Sequence, residues 1–195
     1  MSDVRGLDRK YAVPEIIGDP SDLLIICGLA GASKDIAHLT DDGDNIFTMA
    51  GAMGGATAMG LGLALSRPDK RVLVVTGDGE LLMNVGTLAT VGILKPSNLS
   101  VLCVDNGHYG ETGYQESHTR RGVNLELIAQ GSAIPITRTV EQKRDLDDAK
   151  PLVRTTNGPS FILLKVSTEQ PPSVKRSMDA TERKVAFRQA LLGTR

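Results

Sequence analysis

Two oxygen-bearing side chains, Asp78 and Asn106, each follow a run of leucine and β-branched residues, in Val72-Leu73-Val74-Val75-Thr76-Gly77-Asp78-Gly79 and Leu99-Ser100-Val101-Leu102-Cys103-Val104-Asp105-Asn106-Gly107. A carboxylate and an amide oxygen make half a shell for a small hard cation such as Mg²⁺, whose octahedral oxygen ligation is ordinarily completed by phosphate and water. A diphosphate would supply the remainder. Gly77 and Gly79 remove side chains where it would approach, and a helix opening near Glu80 would aim backbone amides and a positive dipole at it. Gly-Asp-Gly and Asn-Gly are also ordinary turn formers at strand ends, and either one alone reads that way.

The elements that carry these residues are legible. Val72 to Thr76 lacks polar alternation, which suits a strand buried on both faces of a parallel sheet, and Leu99 to Val104 reads alike. Between them a helix is predicted from Glu80 to about Leu94, closed by Lys95-Pro96. The right-handed crossover of such a βαβ unit makes its strands parallel, so Asp78 and Asn106 share the carboxyl edge. Upstream, Leu23 to Cys27 is a further buried strand. It runs into Gly28-Leu29-Ala30-Gly31-Ala32-Ser33-Lys34, a Gly-rich turn on the edge where open α/β sheets bind ligands. There Ser33 reads either as a helix cap or, with Lys34, as a group near a substrate.

The rest of the chain supplies further βα units. Arg9 to Ile17 reads as an amphipathic helix, and Asp41 to Asp44 as a solvated loop without the spacing of a calcium site. Phe47 to Ala56 leads into a helix reaching about Ser66. Its small residues Ala52, Ala56, Gly60 and Ala64 recur every four positions and permit close packing, while Gly51, Gly54 and Gly55 suit either close packing or backbone approached by a ligand. His108 to Arg121 is long, polar and rich in Gly, holds two of the three His and two of the three Tyr, and reads as an active-site loop. A helix Leu125 to Gly131 capped by Asn124, a strand Ile134 to Thr139, a helix Val140 to about Thr155 and a strand Phe161 to Val166 follow. The whole predicts an α/β fold, doubly wound, with a mostly parallel sheet and helices on both faces. One diphosphate-binding domain is expected over 1–195, with 167–195 as a tail and a terminal helix, Ala180 to Leu192, able to dock on a partner.

Composition narrows the function classes. The chain has 195 residues with 22 basic against 23 acidic, a formal net charge of −1, 3% aromatics and no Trp. Neither an electrostatic footprint nor stacking platforms for nucleic acid are present. Phe47 to Leu65 carries no charge over 19 residues, near the length of a bilayer span, yet it is rich in Gly, Ala, Met and Thr and reads as a packed element. MSDVRGLDRK lacks the apolar stretch of a secretory signal. Cys27 and Cys103 end apolar runs without metal-type spacing, so a cytoplasmic, reducing location is expected.

Gly77-Asp78-Gly79, then 26 residues (80 to 105), then Asn106, resembles the cofactor motif of thiamine diphosphate enzymes. The likeness extends over roughly 9–192 and is to the diphosphate-binding half of the decarboxylases, most like the beta subunit or carboxyl half of sulfopyruvate and phosphonopyruvate decarboxylases. Met49 to Gly62, Gly77 to Gly92, Asp105 to Tyr109 and Thr112 to Gln115 carry it. The family often has Asn-Asn where this chain has Asp105-Asn106. The resemblance implies thiamine diphosphate and Mg²⁺ as cofactors, with Asp78, Asn106 and the main-chain carbonyl of His108 holding the metal. Gly51, Met53, Gly77, Gly79, Asn106, His108 and Tyr109 join Asp78 in holding the cofactor, Met53 as a wedge between its rings and the Gly51 carbonyl accepting from its amino group. Met53 also suits a core gap.

The implied reaction removes CO₂ from a small anionic 2-oxo acid and returns a proton to release an aldehyde. His108, Glu111 and His118 are the candidates for moving that proton, and Arg120 or Lys34 for meeting the substrate anion. The activating Glu of this family lies on a pyrimidine-binding domain for which no room exists ahead of Met49. A separate alpha subunit is therefore expected, in a hetero-oligomer of dimers. A carboligase (acetolactate synthase-like) or oxidoreductase half, or a thiamine diphosphate-binding protein without catalysis, would carry the same motif.

Overall fold

The computed structural model describes residues 6–193. In chain order the elements are α1 (Arg9–Ile17), β1 (Leu23–Cys27), α2 (Ala30–Thr40), β2 (Ile46–Thr48), α3 (Ala56–Ser66), β3 (Arg71–Gly77), α4 (Asp78–Leu82), α5 (Thr87–Leu94) and β4 (Leu99–Asp105). A two-stranded ribbon of β5 (His108–Tyr109) and β6 (Gln115–Glu116) comes next, then α6 (Leu125–Gly131), β7 (Ile136–Val140), α7 (Leu146–Ala149), β8 (Ser160–Lys165) and α8 (Ala180–Leu192). Six strands form one sheet in the order β2-β1-β3-β4-β8-β7, every neighbouring pair parallel.

Both faces of that sheet are apolar, as the unalternating strands require. Ile25, Leu73, Val75, Leu102, Ile162 and Leu164 face α1, α2 and α7, while Ile26, Val72, Val74, Val101, Phe161 and Leu163 face α3, α5, α6 and α8. Each fully buried Val, Leu or Ile contributes about 1.5–3 kcal/mol, so this two-sided core carries the fold; α4 and α7, of five and four residues, are too short to stand without it. Glycine admits the tightest contacts: a Cβ on Gly60 would lie 2.1 Å from Val74 Cγ2, and one on Gly92 1.7 Å from the Ser132 carbonyl oxygen.

The chain leaves β1 for β2 on one side and returns to β3 on the other, so the topological switch point falls between the carboxyl ends of β1 and β3. A crevice opens there. The doubly wound reading is met, with four differences of detail. The helix expected from Glu80 to Leu94 is two helices: Met83, Asn84, Thr87 and Leu88 donate to carbonyls three residues back, and Asn84 Nδ2 instead reaches the Gly54 carbonyl at 3.2 Å. The docked Gly54 turn, with φ +82°, and the poor helix former Gly86 break the run. The segment expected as one helix from Val140 to Thr155 holds only α7 between two 3₁₀ turns, the second accommodating Pro151. Ser33 is not a cap; its buried hydroxyl donates to the Ala30 carbonyl at 2.9 Å, and Leu29 holds the cap position. The uncharged Phe47–Leu65 stretch folds as strand, turn and α3, and among the described residues no helix is long and apolar enough to cross a membrane.

The fourth difference concerns the tail. Residues 167–179 form a strap without helix or strand that leaves the carboxyl edge and reaches the loop between α2 and β2, tied by Ser167 N to the Leu7 carbonyl and by Ser177 N to Asp42 Oδ2, each at 2.8 Å. Asp42, expected in a purely solvated loop, anchors the strap and accepts from Arg183. α8 packs one face on its own chain: Phe187 meets Phe47 edge to face at 5.9 Å, and Arg67 donates to the Leu191 carbonyl.

Candidate functional site

Asp78 opens α4 directly after β3, and its side chain is 2% exposed. Ser117 and Thr119 reach back from the loop beyond β6: both hydroxyls donate to Asp78 Oδ2, Thr119 at 3.1 Å. Thr119 Oγ1 is also 2.8 Å from Asp105 Oδ1, and with one proton it serves one carboxylate at a time. Asp105, at the end of β4, is buried too; Lys165 Nζ lies 2.5 Å from its Oδ2 and the Gly107 amide 2.9 Å from its Oδ1.

Burial and, after it, the neighbouring Asp105 charge push the Asp78 carboxyl up to about 6, while the Ser117 and Thr119 hydroxyls pull the other way. The folded chain therefore favours the neutral acid more than the unfolded chain does. The resulting stabilisation is full below about pH 4 and is lost as the pH rises through about 6. We expect urea denaturation of the metal-free chain to show stability falling across that window, and Asp78→Asn to flatten the profile.

Asn106 takes part in a tight turn after β4. Its Oδ1 accepts the His108 amide at 3.1 Å, which leaves a second lone pair for a cation, and Gly107 supplies the φ of +71° the turn needs. The His108 ring stacks on Tyr114 at 4.9 Å, and its Nδ1 lies 3.0 Å from the Asn106 carbonyl. A carbonyl only accepts, so Nδ1 carries hydrogen and Nε2 is left for proton exchange.

Gly51, Met53, Gly77, Asp78, Gly79, Asn106, His108, Tyr109 and Glu111 all line one cavity of about 240 Å³ at the switch point. The structure brings together every residue expected to hold cofactor or metal. His118 stands apart: it is exposed, it does not line the cavity, and its neighbours Ser117 and Thr119 point inward instead. Arg120 likewise lies outside this cavity, whereas Lys34 lines it.

The glycines differ in what they are for. Nothing lies closer than 4.0 Å to a Cβ built on Gly77, so that position leaves open space beside Asp78, and Gly51 is free of neighbours with φ +81°. On Gly79 a Cβ would meet the Tyr109 ring at 2.4 Å, so glycine there also admits the tyrosine. Since α4 has five residues, its dipole is weaker than the expected long helix would have provided.

Sequence reasoning missed three groups. Ser117 and Thr119 alternate with His118, a spacing that marks one face of an extended segment, but nothing local names their target. Glu80 is buried beneath Gly28; Thr76 donates to its Oε2 at 2.7 Å, and burial raises its pKa. A Cβ on Gly28 would fall 1.6 Å from that carboxylate, which gives the Gly-rich turn a packing reason. Arg9, from α1, also lines the cavity and is held at Asp35 through Nε at 3.0 Å.

The donor set has a definite character. Among the described residues no group of three His, Cys, Asp or Glu is gathered for a metal. One carboxylate, one amide oxygen and a main-chain carbonyl beside open space fit a hard cation whose remaining ligands come from a diphosphate.

Residues 31–164 match the family described as thiamine pyrophosphate enzyme, C-terminal TPP binding domain. The sulfopyruvate decarboxylase subunit beta of Methanocaldococcus jannaschii is 42% identical over 133 residues, covering 68% of this chain and 69% of that one. The phosphonopyruvate decarboxylase of Streptomyces viridochromogenes is 37% identical over 159 residues, 81% of this chain but 39% of the relative. In fold, an X-ray structure from Mycobacterium smegmatis described as thiamin diphosphate-dependent superposes with TM-score 0.66 at 19% identity, over 87% of this chain and 34% of that one. With its motif, its switch-point cavity and two thirds of its length matched, the chain belongs to the thiamine pyrophosphate enzymes, as their C-terminal TPP-binding domain.

Proposed function

We propose that this chain is the beta-type subunit of a thiamine diphosphate- and magnesium-dependent, non-oxidative decarboxylase of a small anionic 2-oxo acid, of the sulfopyruvate or phosphonopyruvate class, with CO₂ and an aldehyde as products. The observation that carries the reading is the meeting of Asp78 and Asn106 in one cavity, on a chain similar to a sulfopyruvate decarboxylase beta subunit along most of that subunit's length. Thiamine diphosphate, when bound, supplies the electron sink for loss of CO₂.

The residues of this chain do the rest. Asp78, Asn106 and the His108 carbonyl would hold Mg²⁺, with Gly77 leaving room for the diphosphate. Met53, 41% exposed at the cavity wall, would set the cofactor's bend. His108 Nε2, with its tautomer held by the Asn106 carbonyl, and Glu111 would move the proton; His118, outside the cavity, has no part in this reading. Lys34 offers a cation to the substrate's second anionic group.

A partner supplying the activating Glu belongs to this reading. Support comes from the beta-subunit relative, from the 39% share of the phosphonopyruvate decarboxylase that this chain matches, and from apolar side chains left exposed on the side of the sheet that carries α3 and α5. Met59 and Leu65 on α3, Met83 beyond α4, and Ile93, 77% exposed, with Leu94 on α5 lie uncovered, and such patches mark interaction sites.

The test is product analysis of the reconstituted pair with sulfopyruvate, phosphonopyruvate and pyruvate. CO₂ release from one of the first two, at a kcat/KM at least about tenfold above pyruvate, is the expected result; about 1.4 kcal/mol from one anionic contact suffices. Condensation of pyruvate with an aldehyde acceptor, without release of free aldehyde, would replace decarboxylation by carboligation.

A further inference from the structure

The strand register sets Asp105 of β4 beside Lys165 of β8. Lys165 Nζ lies 2.5 Å from Asp105 Oδ2, with Asp105 buried and the lysine side chain 27% exposed. The other oxygen, Oδ1, takes the Gly107 amide at 2.9 Å and the Thr119 hydroxyl at 2.8 Å. Through Gly107 it fixes the turn that carries Asn106 and His108. Through Thr119 it touches the same hydroxyl as Asp78, 3.1 Å away on the other side. Two buried carboxylates at the ends of adjacent strands thus share one hydroxyl, and among the described residues only Asp105 has a cation against it.

We propose that Lys165 is a positioning residue that sets the charge of the cation site: by pairing with Asp105 and holding it toward β8, it leaves Asp78 as the one of these two carboxylates offered to a metal. The proposal rests on the reading of Asp78 and Asn106 as metal-holding groups. Two partly buried charges a few ångströms apart interact by kilocalories rather than tenths. Removing Lys165 adds a negative charge beside a bound cation, tightening it while repelling a diphosphate. Removing the Asp105 charge leaves Lys165 facing the site and loosens the cation. A purely structural role would weaken both.

The experiment is an Mg²⁺ titration of the full chain at saturating thiamine diphosphate, with the partner subunit present where the complex forms, read by thermal shift and by the cofactor's circular dichroism. Lys165→Met should lower the Mg²⁺ midpoint about three- to tenfold and weaken thiamine diphosphate binding in excess Mg²⁺; Asp105→Asn should raise the midpoint by a similar factor. Asp105→Asn with Lys165→Met together, and the charge-keeping Lys165→Arg alone, should return within about twofold of the unmodified chain. Single variants that move the midpoint in the same direction, or a double variant no closer to the unmodified chain than either single, would overturn the proposal while leaving the cofactor reading intact. An unmodified chain with no Mg²⁺-dependent response to thiamine diphosphate would overturn both. Melting temperatures without metal identify any variant lost to misfolding, and the Lys165→Arg and double variants then decide.

Discussion

Asp78→Ala is expected to lose Mg²⁺-dependent binding of thiamine diphosphate by at least about a hundredfold, or about 2.7 kcal/mol. The carboxylate is the only charged ligand in the set of Asp78, Asn106 and a main-chain carbonyl, and water cannot replace it, because the residue is 2% exposed under the Ser117 and Thr119 hydroxyls. Folding should not suffer in proportion. Burial works against the charged form of Asp78, and Asp105 repels it, so Asp78→Asn should hold or raise the melting temperature at neutral pH while binding falls. Isothermal titration with thiamine diphosphate, with and without Mg²⁺, reads the first effect and a thermal melt the second. Binding of the cofactor by Asp78→Ala with unchanged Mg²⁺ dependence would remove the central assignment.

The isolated chain should turn over at no more than about a thousandth of the rate of the reconstituted pair. Cofactor activation in the proposed reaction needs a carboxylic acid at the far end of the cofactor, and general acid–base groups of this kind contribute about 10²–10⁴-fold. In this reading the carboxylates lining the cavity have other places: Asp78 would hold the cation, Glu80 is buried against Gly28 with Thr76 on its Oε2, Glu111 sits with His108 in the loop proposed to move the product proton, and Glu169 is exposed on the 167–179 strap. The apolar surface of α3 and α5 should be covered in the pair, so addition of the partner subunit should both restore CO₂ release and protect amides of Thr87–Leu94 from hydrogen exchange. Equal turnover with and without a partner would contradict the two-chain reading.

How far the site could be read in advance depended on the range of the signal. Asp78 and Asn106 were found because each closes an apolar strand with a polar side chain, and the handed crossover between parallel strands leaves both on one edge. His118 was drawn in by residue type alone, whereas the ribbon of β5 and β6 turns Ser117 and Thr119 inward and leaves His118 outside. Gly79 reads as room for a diphosphate because glycine beside a carboxylate invites it; that its missing side chain also admits the Tyr109 ring, thirty positions on, no local pattern shows. The Glu80 to Leu94 helix had no internal proline to break it, and it is broken by a turn from elsewhere, at Gly54, that captures Asn84.

The amino-acid sequence by itself determined the layer architecture, the edge on which the cavity opens and the two groups there that would grip a cation. These follow from short-range causes: unalternating apolar runs must be buried on both faces, and a strand, helix and strand can close in only one hand. Tertiary structure decided what surrounds them. Ser117 and Thr119 on Asp78, Lys165 on Asp105, Glu80 beneath Gly28 and the 167–179 strap on Asp42 are contacts between residues from 39 to 135 positions apart. Their partners are chosen by strand register and by the order β2-β1-β3-β4-β8-β7, because a side chain meets whatever the neighbouring strand places opposite it, and no local pattern encodes that neighbour.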